Sequence, residues 1–249
     1  MVWVSAVTDV LCTFSGKYGD ILWSLPTAKY IADVTGGPVD FGIMRPWLSI
    51  CPLIETQPYI DKCFPVPGWF PEHERFGAQP WESPRMSPPY PVTYNLTYRK
   101  MPDAPLIDFI AYESNARLGN QQLSLPFLNA EDTAEHPTVT WGFGQHGWSQ
   151  KMRFRDDVAA AVEPVIHNVK WVRVDKLPWY NAAREISRAH AFLGCKSALH
   201  VVAHGVGTPV FLVETADWRL DEVFSYPYAD EPCLSVEDTA KRIIELVAL

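Results

Sequence analysis

Short apolar segments alternate with helical patterns along the chain, and this alternation is what most constrains its fold. In the first stretch, the strand patterns VLCTF (10–14), VDFGIM (39–44) and YIDKCFPVP (59–67) are separated by a helical pattern ending at Gly36 and by a short, proline-opened helical pattern (46–55). An order of strand, helix and strand predicts parallel strands joined by right-handed crossovers. We therefore predict a parallel sheet in this stretch.

A second alternation begins at residue 138 and continues to the end of the sequence. Helical patterns separate the strand patterns TVTWGFG, VKWVRV, AFLG and VFLVE, and a last helix follows Ser235 as its N-cap, with Asp238 three residues on. The predicted fold class is α/β, with two Rossmann-like parallel-sheet domains facing a central cleft and the C-terminal helix packing back. We place these domains at residues 1–125 and 137–249.

Within the first domain, the pattern is lost over residues 65–91, where prolines are too dense for regular structure. Trp69 and Trp81 are large side chains for a linker, so we predict a packed loop bordering the cleft, with a loop on the outer surface as the alternative. A strand over 92–98 and a helix over 105–119 are predicted to follow.

Composition limits the function classes. Of 249 residues, 47% are hydrophobic, which is enough for a substantial core. The formal net charge of −8 argues against a dominant electrostatic grip on nucleic acid or on an anionic membrane. The five cysteines are scattered without a C-x-x-C pair, which favours buried free thiols in a reducing compartment. The sequence shows no signal-peptide pattern and no apolar run of about 18 residues, so we expect a cytoplasmic protein.

Two segments stand where doubly wound sheets bind ligands, at the carboxyl ends of strands and the N-termini of helices. The first is GKYGDILWSLP, in which a glycine turn delivers Asp20 to the start of a helix. It lacks the G-x-x-x-x-G-K-[ST] pattern of a triphosphate-binding loop. Asp20 is therefore a candidate for catalysis, and capping of the helix is the alternative.

The second segment is GCKSALHVVAHG, where Gly194 ends a strand and Lys196 and Ser197 lead into a helix. Backbone N–H groups, the serine hydroxyl and the ammonium group could together hold a diphosphate. A third segment, GFGQHGWSQKMRF, has glycines after a strand and Lys151 downstream. Lys151 is interpreted as a phosphate contact or, alternatively, as a solvated surface lysine.

With these segments in order, the chain resembles the heptosyltransferase-like GT-B glycosyltransferases. GDILWSLP is similar to the family's G-D-[VIL]-x-x-x-x-P motif, and TVTWGFGQHGWSQKMRF to the glycine-then-lysine loop that opens its second domain. AHAFLGCKSALHVVAHGVGTPVFLV follows its A-x-x-x-[IV]-G-x-D-[ST]-G-x-x-H-x-A-x-x-x-G-x-P pattern most specifically. The resemblance covers residues 10–66 and 138–215.

The resemblance implies an N-terminal acceptor domain, a C-terminal donor domain and hexosyl or heptosyl transfer from a nucleotide-diphosphate sugar to an acceptor hydroxyl. Transfer would be inverting, with Asp20 as general base and the nucleotide sugar as co-substrate rather than a cofactor. No Asp-x-Asp occurs in the sequence, so no metal is expected. The expected donor-binding residues are Gly144, Lys151, Trp179, Tyr180, Asn181, Lys196, Ser197 and Ala198. The expected acceptor-side residues are Lys17, Gly19, Trp69, Trp81 and His200.

The chain departs from the family pattern at three places. Lys196 stands where the family has an acid, Ala198 where it has glycine, and His200 lies one position before the family's histidine. A lysine would neutralise diphosphate directly. It would equally fit a different donor or a chain without transfer activity.

Other functions remain open from the sequence. His200 and His204 have the i, i+4 spacing of metal ligands, but no third ligand is evident, so packing histidines are preferred. A nucleotide-sugar epimerase would need more cleft acids than Asp20 and Glu214, whereas Lys196 would suit a non-catalytic nucleotide-sugar-binding module. The aromatic segment 67–91 would suit a DNA-base glycosyltransferase of viral type. The expected acceptor is a carbohydrate or glycolipid, with nucleic acid less favoured, and the sequence leaves the oligomeric state open.

Overall fold

The chain forms two compact units, Met1–Leu123 and Ser124–Leu249. The computed structural model describes residues 10–14, 18–66, 92–96, 136–143, 148–195, 197–213 and 234–248. The joining stretch and the predicted helix over 105–119 lie outside the described residues. The domain boundaries at 125 and 137, and the cleft between the units, therefore stay predictions.

The first unit contains a four-stranded sheet whose order is β3-β2-β1-β4, with every pair parallel. The predicted strands are confirmed, and the strand at 92 joins the free side of the first one. The elements are β1 (Val10–Phe14), α1 (Tyr18–Thr35), β2 (Val39–Met44), a 3₁₀ helix (Arg45–Ile50), α2 (Cys51–Ile54), β3 (Ile60–Val66) and β4 (Val92–Leu96).

Helix α1 begins earlier than predicted. It starts at Tyr18, so Gly19 and Asp20 belong to its first turn and not to a preceding glycine turn. Its buried side chains include Ile21, Leu22 and Leu25, whereas Tyr30 and Val34 are exposed. The helix ends as predicted at Gly36, whose φ of 80° is left-handed and whose N–H donates to the Ala32 carbonyl at 3.0 Å.

The helix predicted over 46–55 is two shorter elements. A 3₁₀ helix ends where the Cys51 N–H donates to the Leu48 carbonyl, and a single α-helical turn follows. Pro52 explains the difference, because it has no N–H to donate to the Leu48 carbonyl in a continuous α-helix, and that carbonyl accepts from Cys51 instead. The crossover from β2 to β3 is therefore compact.

The second unit contains another four-stranded sheet, with order β6-β5-β7-β8 and every pair parallel. The predicted alternation is confirmed, although its first helix begins at Trp148, earlier than predicted, and takes in Lys151. The elements are β5 (Thr138–Gly142), α3 (Trp148–Val162), β6 (Lys170–Arg173), α4 (Trp179–Arg188), β7 (Ala191–Gly194), α5 (Ala198–Gly205), β8 (Val210–Leu212) and α6 (Val236–Val247).

Helices cover both faces of this sheet. On one face, alternate strand residues such as Val139 and Leu193 share a core with Val158 of α3 and Ile243 of α6. On the other face α4 packs with α5, and the Thr208 hydroxyl after α5 donates to the Ile186 carbonyl of α4 at 2.7 Å. The C-terminal helix thus packs back on its own unit.

Ser235 caps α6 as predicted. Its hydroxyl oxygen accepts a hydrogen bond from the Asp238 backbone N–H at 3.1 Å, and the hydroxyl donates to the Asp238 carboxylate at 2.8 Å. The Asp238 carboxylate therefore binds the Ser235 side chain. In a capping box it would instead accept a hydrogen bond from the Ser235 backbone N–H. None of the described helices combines the length and apolar character that a bilayer crossing requires.

Candidate functional site

Each sheet has a point at which the winding of the chain reverses. In the first sheet the chain runs outward from β1 to β2 and β3, while β4 lies on the other side of β1. In the second, β5 leads to β6 on one side, whereas β7 leads to β8 on the other. Ligands of doubly wound sheets bind outside the carboxyl ends of strands at such points. The starts of α1, α3 and α5 follow those strands.

Ser197 is the N-cap of α5, and its hydroxyl makes no cap hydrogen bond. The Oγ atom is buried, and no described residue forms a hydrogen bond with it. An N-cap serine usually accepts a hydrogen bond from the first turn of its helix. Because that turn also carries N–H groups without an intrahelical acceptor, the start of α5 offers several donors to an anion.

Lys151 lies in the first turn of α3 and is 2% exposed. The alternative of a solvated surface lysine is therefore wrong. Among the described residues, no hydrogen bond or ion pair engages its ammonium group. An isolated ammonium group is costly to bury, so an anionic partner would stabilise it. Its place after β5 fits the predicted phosphate contact.

Two glycines face each other where the second sheet reverses. Gly142 ends β5 and is the register partner of Gly194 at the end of β7. A Cβ atom at Gly142 would lie 2.7 Å from the Leu199 Cδ1 atom and 3.3 Å from the Asp175 Cβ atom. A larger residue there would require the Leu199 side chain to shift, so glycine lets the first turn of α5 lie close to the strand ends.

The end of β6 adds an ion pair that sequence reasoning missed. The Arg173 Nε atom donates to Asp175 Oδ1 at 2.6 Å, and a second guanidinium nitrogen donates to Oδ2 at 3.1 Å. These hydrogen bonds raise the pKa of the Arg173 guanidinium above its ordinary value. The sequence did carry a signal for this ion pair, since two residues of opposite charge lie two positions apart at the end of a strand. The pair places an acid beside Gly142.

The residues predicted to contact a nucleoside form the first turn of α4. Trp179 and Tyr180 are partly buried and Asn181 is exposed. Because α4 follows β6, this turn stands at the same carboxyl edge as Arg173 and Asp175. Ala198 is the first residue of α5 and is partly buried.

His200 and His204 contact each other. Their Nε2 atoms are 2.8 Å apart in a hydrogen bond, and the ring centroids are 4.6 Å apart in a T-shaped arrangement. His200 is buried and His204 is half-buried, as predicted for packing histidines. Within the described part of the chain, no group of three or more His, Cys, Asp or Glu side chains is arranged to hold a metal ion.

The start of α1 is tied to the segment after β2. The hydroxyl groups of Tyr18 and Ser49 are 2.7 Å apart, and the Tyr18 ring meets the Trp47 ring edge-on at 4.8 Å. Sequence reasoning missed this contact because the residues are distant along the chain. Asp20 follows two residues after Tyr18. Its backbone is helical, and its side chain lies outside the described part.

Several predicted site residues are outside the described residues, so their roles stay predictions. On the acceptor side these are Lys17, Trp69 and Trp81. In the second unit they are Gly144, Lys196 and Glu214.

No protein-family model and no curated protein matches the chain. Solved structures do match it. The glycosyl transferase family 9 structure from Veillonella parvula has a TM-score of 0.56 and 12% identity, over 96% of this chain and 97% of that one. E. coli heptosyltransferase WaaC with ADP-2-deoxy-2-fluoro heptose has a TM-score of 0.55 and 12% identity, over 95% of this chain and 99% of that one.

A larger protein matches over part of its length. The dodecameric iron-containing heptosyltransferase TibC, in complex with ADP-D-beta-D-heptose, has a TM-score of 0.50 and 18% identity, over 83% of this chain. The chain spans 58% of the length of that protein, which comes from enterotoxigenic E. coli. At these identities the similarity defines the fold. The chain has the GT-B fold of the heptosyltransferases, and the resemblance is confirmed at that level.

Proposed function

We propose that this protein is a glycosyltransferase, which moves a sugar from a nucleotide-diphosphate sugar to an acceptor hydroxyl. The observation that carries the proposal is the Ser197 hydroxyl, which is buried at the N-terminus of α5 and has no hydrogen-bond partner in the described part of the chain. It stands where the second sheet reverses, on a fold shared with heptosyltransferases. A hydroxyl donor beside free helix amides suits a diphosphate.

Lys151 supports the same assignment from a neighbouring strand. A diphosphate carries concentrated negative charge, and the Lys151 ammonium group at the start of α3 is a point charge that can bind it directly. As the bond between sugar and diphosphate breaks, negative charge grows on the leaving oxygen. Donors held in place before the reaction stabilise that charge without reorganising, which lowers the barrier.

The transfer step is proposed to be a single in-line displacement. The acceptor oxygen attacks the anomeric carbon, the bond to the diphosphate oxygen breaks, and the configuration at that carbon inverts. Asp20 takes the proton of the acceptor hydroxyl as general base. Lys151 and the start of α5 hold the departing nucleoside diphosphate, so this chain's residues supply both the base and the leaving-group stabilisation without a metal ion.

Nucleoside recognition is assigned to the first turn of α4. Trp179 and Tyr180 offer aromatic surface for a base, and Asn181 offers hydrogen bonds. The acceptor is proposed to be a carbohydrate or glycolipid hydroxyl. The free thiols of the described cysteines fit the predicted cytoplasmic location.

A donor panel tests the proposal. Each nucleotide-diphosphate sugar, beginning with ADP-linked sugars because two of the matching structures hold them, is scored for a rise in Tm and for release of nucleoside diphosphate with candidate acceptors. Release that depends on an acceptor supports the transferase. Isomerisation of the sugar would indicate an epimerase, and binding without turnover a non-catalytic module. Absence of any Tm shift across the panel would contradict the proposal.

A further inference from the structure

Two cysteines of the first unit meet although they are twelve residues apart in sequence. Cys51 is the first residue of α2 and Cys63 lies in β3, and their sulfur atoms are 2.8 Å apart in a thiol–thiol hydrogen bond. A disulfide bond is about 2.05 Å long, so the sulfurs need to approach by only about 0.8 Å to be joined. Both are free thiols.

We propose that Cys51 and Cys63 form an oxidisable dithiol, which a hydroperoxide or a small disulfide converts reversibly into an intramolecular disulfide. The site is built into the crossover between β2 and β3 and does not depend on the proposed transferase activity. A hydrogen bond also joins the end of α2 to β3, because the Cys63 backbone N–H donates to the Glu55 side-chain carboxylate at 3.1 Å.

The two thiols differ in ways that assign their roles. Cys51 is half-buried, and its hydrogen bond with Cys63 lowers the pKa of its thiol, against burial and the Glu55 carboxylate, which raise it. Cys63 is buried, and its hydrogen bond to Cys51 and its burial raise the pKa of its thiol. Because the thiolate is the nucleophile, Cys51 attacks the oxidant and Cys63 resolves the intermediate.

The chemistry balances with hydrogen peroxide as the oxidant. The Cys51 thiolate attacks one peroxide oxygen, the O–O bond breaks, and hydroxide leaves, which gives a sulfenic acid on Cys51. The hydroxide takes up the proton that the Cys51 thiol had released and becomes the first water. The Cys63 sulfur then attacks the Cys51 sulfur and loses its proton. The S–O bond breaks as the S–S bond forms, and a second water is released. The two sulfurs are oxidised by two electrons in total, and the peroxide is reduced to two waters.

Oxidation has an expected effect on stability. The disulfide would link α2 to β3 and restrict the unfolded chain between them, which raises the Tm by about 5–10 °C for a loop of this size. The rise should disappear on addition of dithiothreitol.

The test treats the full chain with hydrogen peroxide and, separately, with oxidised glutathione. Non-reducing peptide mapping is expected to show one dominant cross-link, between Cys51 and Cys63, together with the reversible rise in Tm. Oxidation that yields scattered sulfinic or sulfonic acids, or cross-links to other cysteines, would overturn the proposal. The mapping uses the unaltered protein, so it does not depend on any variant folding.

Variants then test the assigned roles. In Cys63→Ser the reaction should stop at a sulfenic acid on Cys51 that dimedone traps, whereas Cys51→Ser should leave Cys63 unmodified at the same peroxide dose. Cys12→Ser is the matched control, because burial raises the pKa of the Cys12 thiol on β1, and it should cross-link as the unaltered chain does. Equal modification of the two single variants would contradict the division of roles.

Discussion

The two sheets present different chemistry where their chains reverse. At the start of α1, the Tyr18 hydroxyl is bonded to Ser49 and its ring packs on Trp47. At the start of α5, the Ser197 hydroxyl is buried and has no partner among the described residues. The side chains at the start of α1 bind one another, whereas the start of α5 leaves its donors available to a ligand.

This difference indicates a division of labour. Buried donors and cations without partners are costly in the free protein, and a protein keeps them where a ligand satisfies them. A helix start that is tied to its neighbours instead supplies a fixed position, which a general base requires. Under the proposed function, the start of α5 would bind the donor and the start of α1 would place Asp20.

The largest expected effect is the loss of transfer activity on substitution of Asp20 at the start of α1. Asp20→Asn keeps the shape of the side chain but cannot take a proton, so transfer should fall by roughly 10²–10⁴-fold while donor binding is unchanged. Asp33→Asn, at the exposed end of the same helix, is the matched control and should keep full activity. Initial rates and donor-induced Tm shifts measure the two properties. Wild-type turnover by Asp20→Asn would remove the general-base assignment.

Lys151→Met should separate binding from stability. Loss of the ammonium group should weaken donor binding by roughly 10–100-fold, as expected for a charge-assisted hydrogen bond. The same change should leave the free energy of unfolding nearly unchanged, because methionine has a similar volume and keeps the buried apolar part of the side chain. Calorimetric titration and urea unfolding measure these effects.

Lys241→Met, on the exposed face of α6, is the control for Lys151→Met and should change neither quantity appreciably. A Lys151→Met variant that binds donor as tightly as the unaltered chain would show that the lysine is only a packing residue.

Substitution of the two N-cap serines should give smaller effects, but on opposite properties of the protein. Ser197→Ala should weaken donor binding by roughly 3–10-fold and leave stability unchanged, because its hydroxyl makes no cap hydrogen bond. Ser235→Ala should do the reverse and cost about 1 kcal/mol of unfolding free energy, since its hydroxyl caps α6. If both variants lost the same stability and neither lost affinity, the α5 N-terminus would be an ordinary helix start.

Tyr18→Phe should have the smallest effect. It removes the hydrogen bond to Ser49 and keeps the ring contact with Trp47, so we expect a loss of roughly 0.5–1 kcal/mol in unfolding free energy. Chemical denaturation measures this loss. Ser49→Ala removes the same bond from the other side, and the double variant should lose no more than either single one. Additive losses would mean that the bond does not stabilise the start of α1.

Much of the fold could be predicted from local sequence. The strands were found because buried parallel strands are continuous apolar runs, such as VLCTF and AFLG, and Gly36 marked a helix end correctly. The starts of α1 and α3 were placed too late, because polar and glycine residues in a first helical turn resemble a loop. The proline-containing crossover was predicted as one helix because periodicity alone does not distinguish α from 3₁₀ turns.

By itself, the sequence determined the order of strands and helices and the segments at which ligand-binding residues could occur, because both depend on residues close together in the chain. Only the tertiary structure decided that Lys151 is buried, that the Ser197 hydroxyl lacks a partner and that Cys51 meets Cys63. Burial and pairing depend on which distant segments pack against each side chain. That packing decides what a polar group costs and what it can bind.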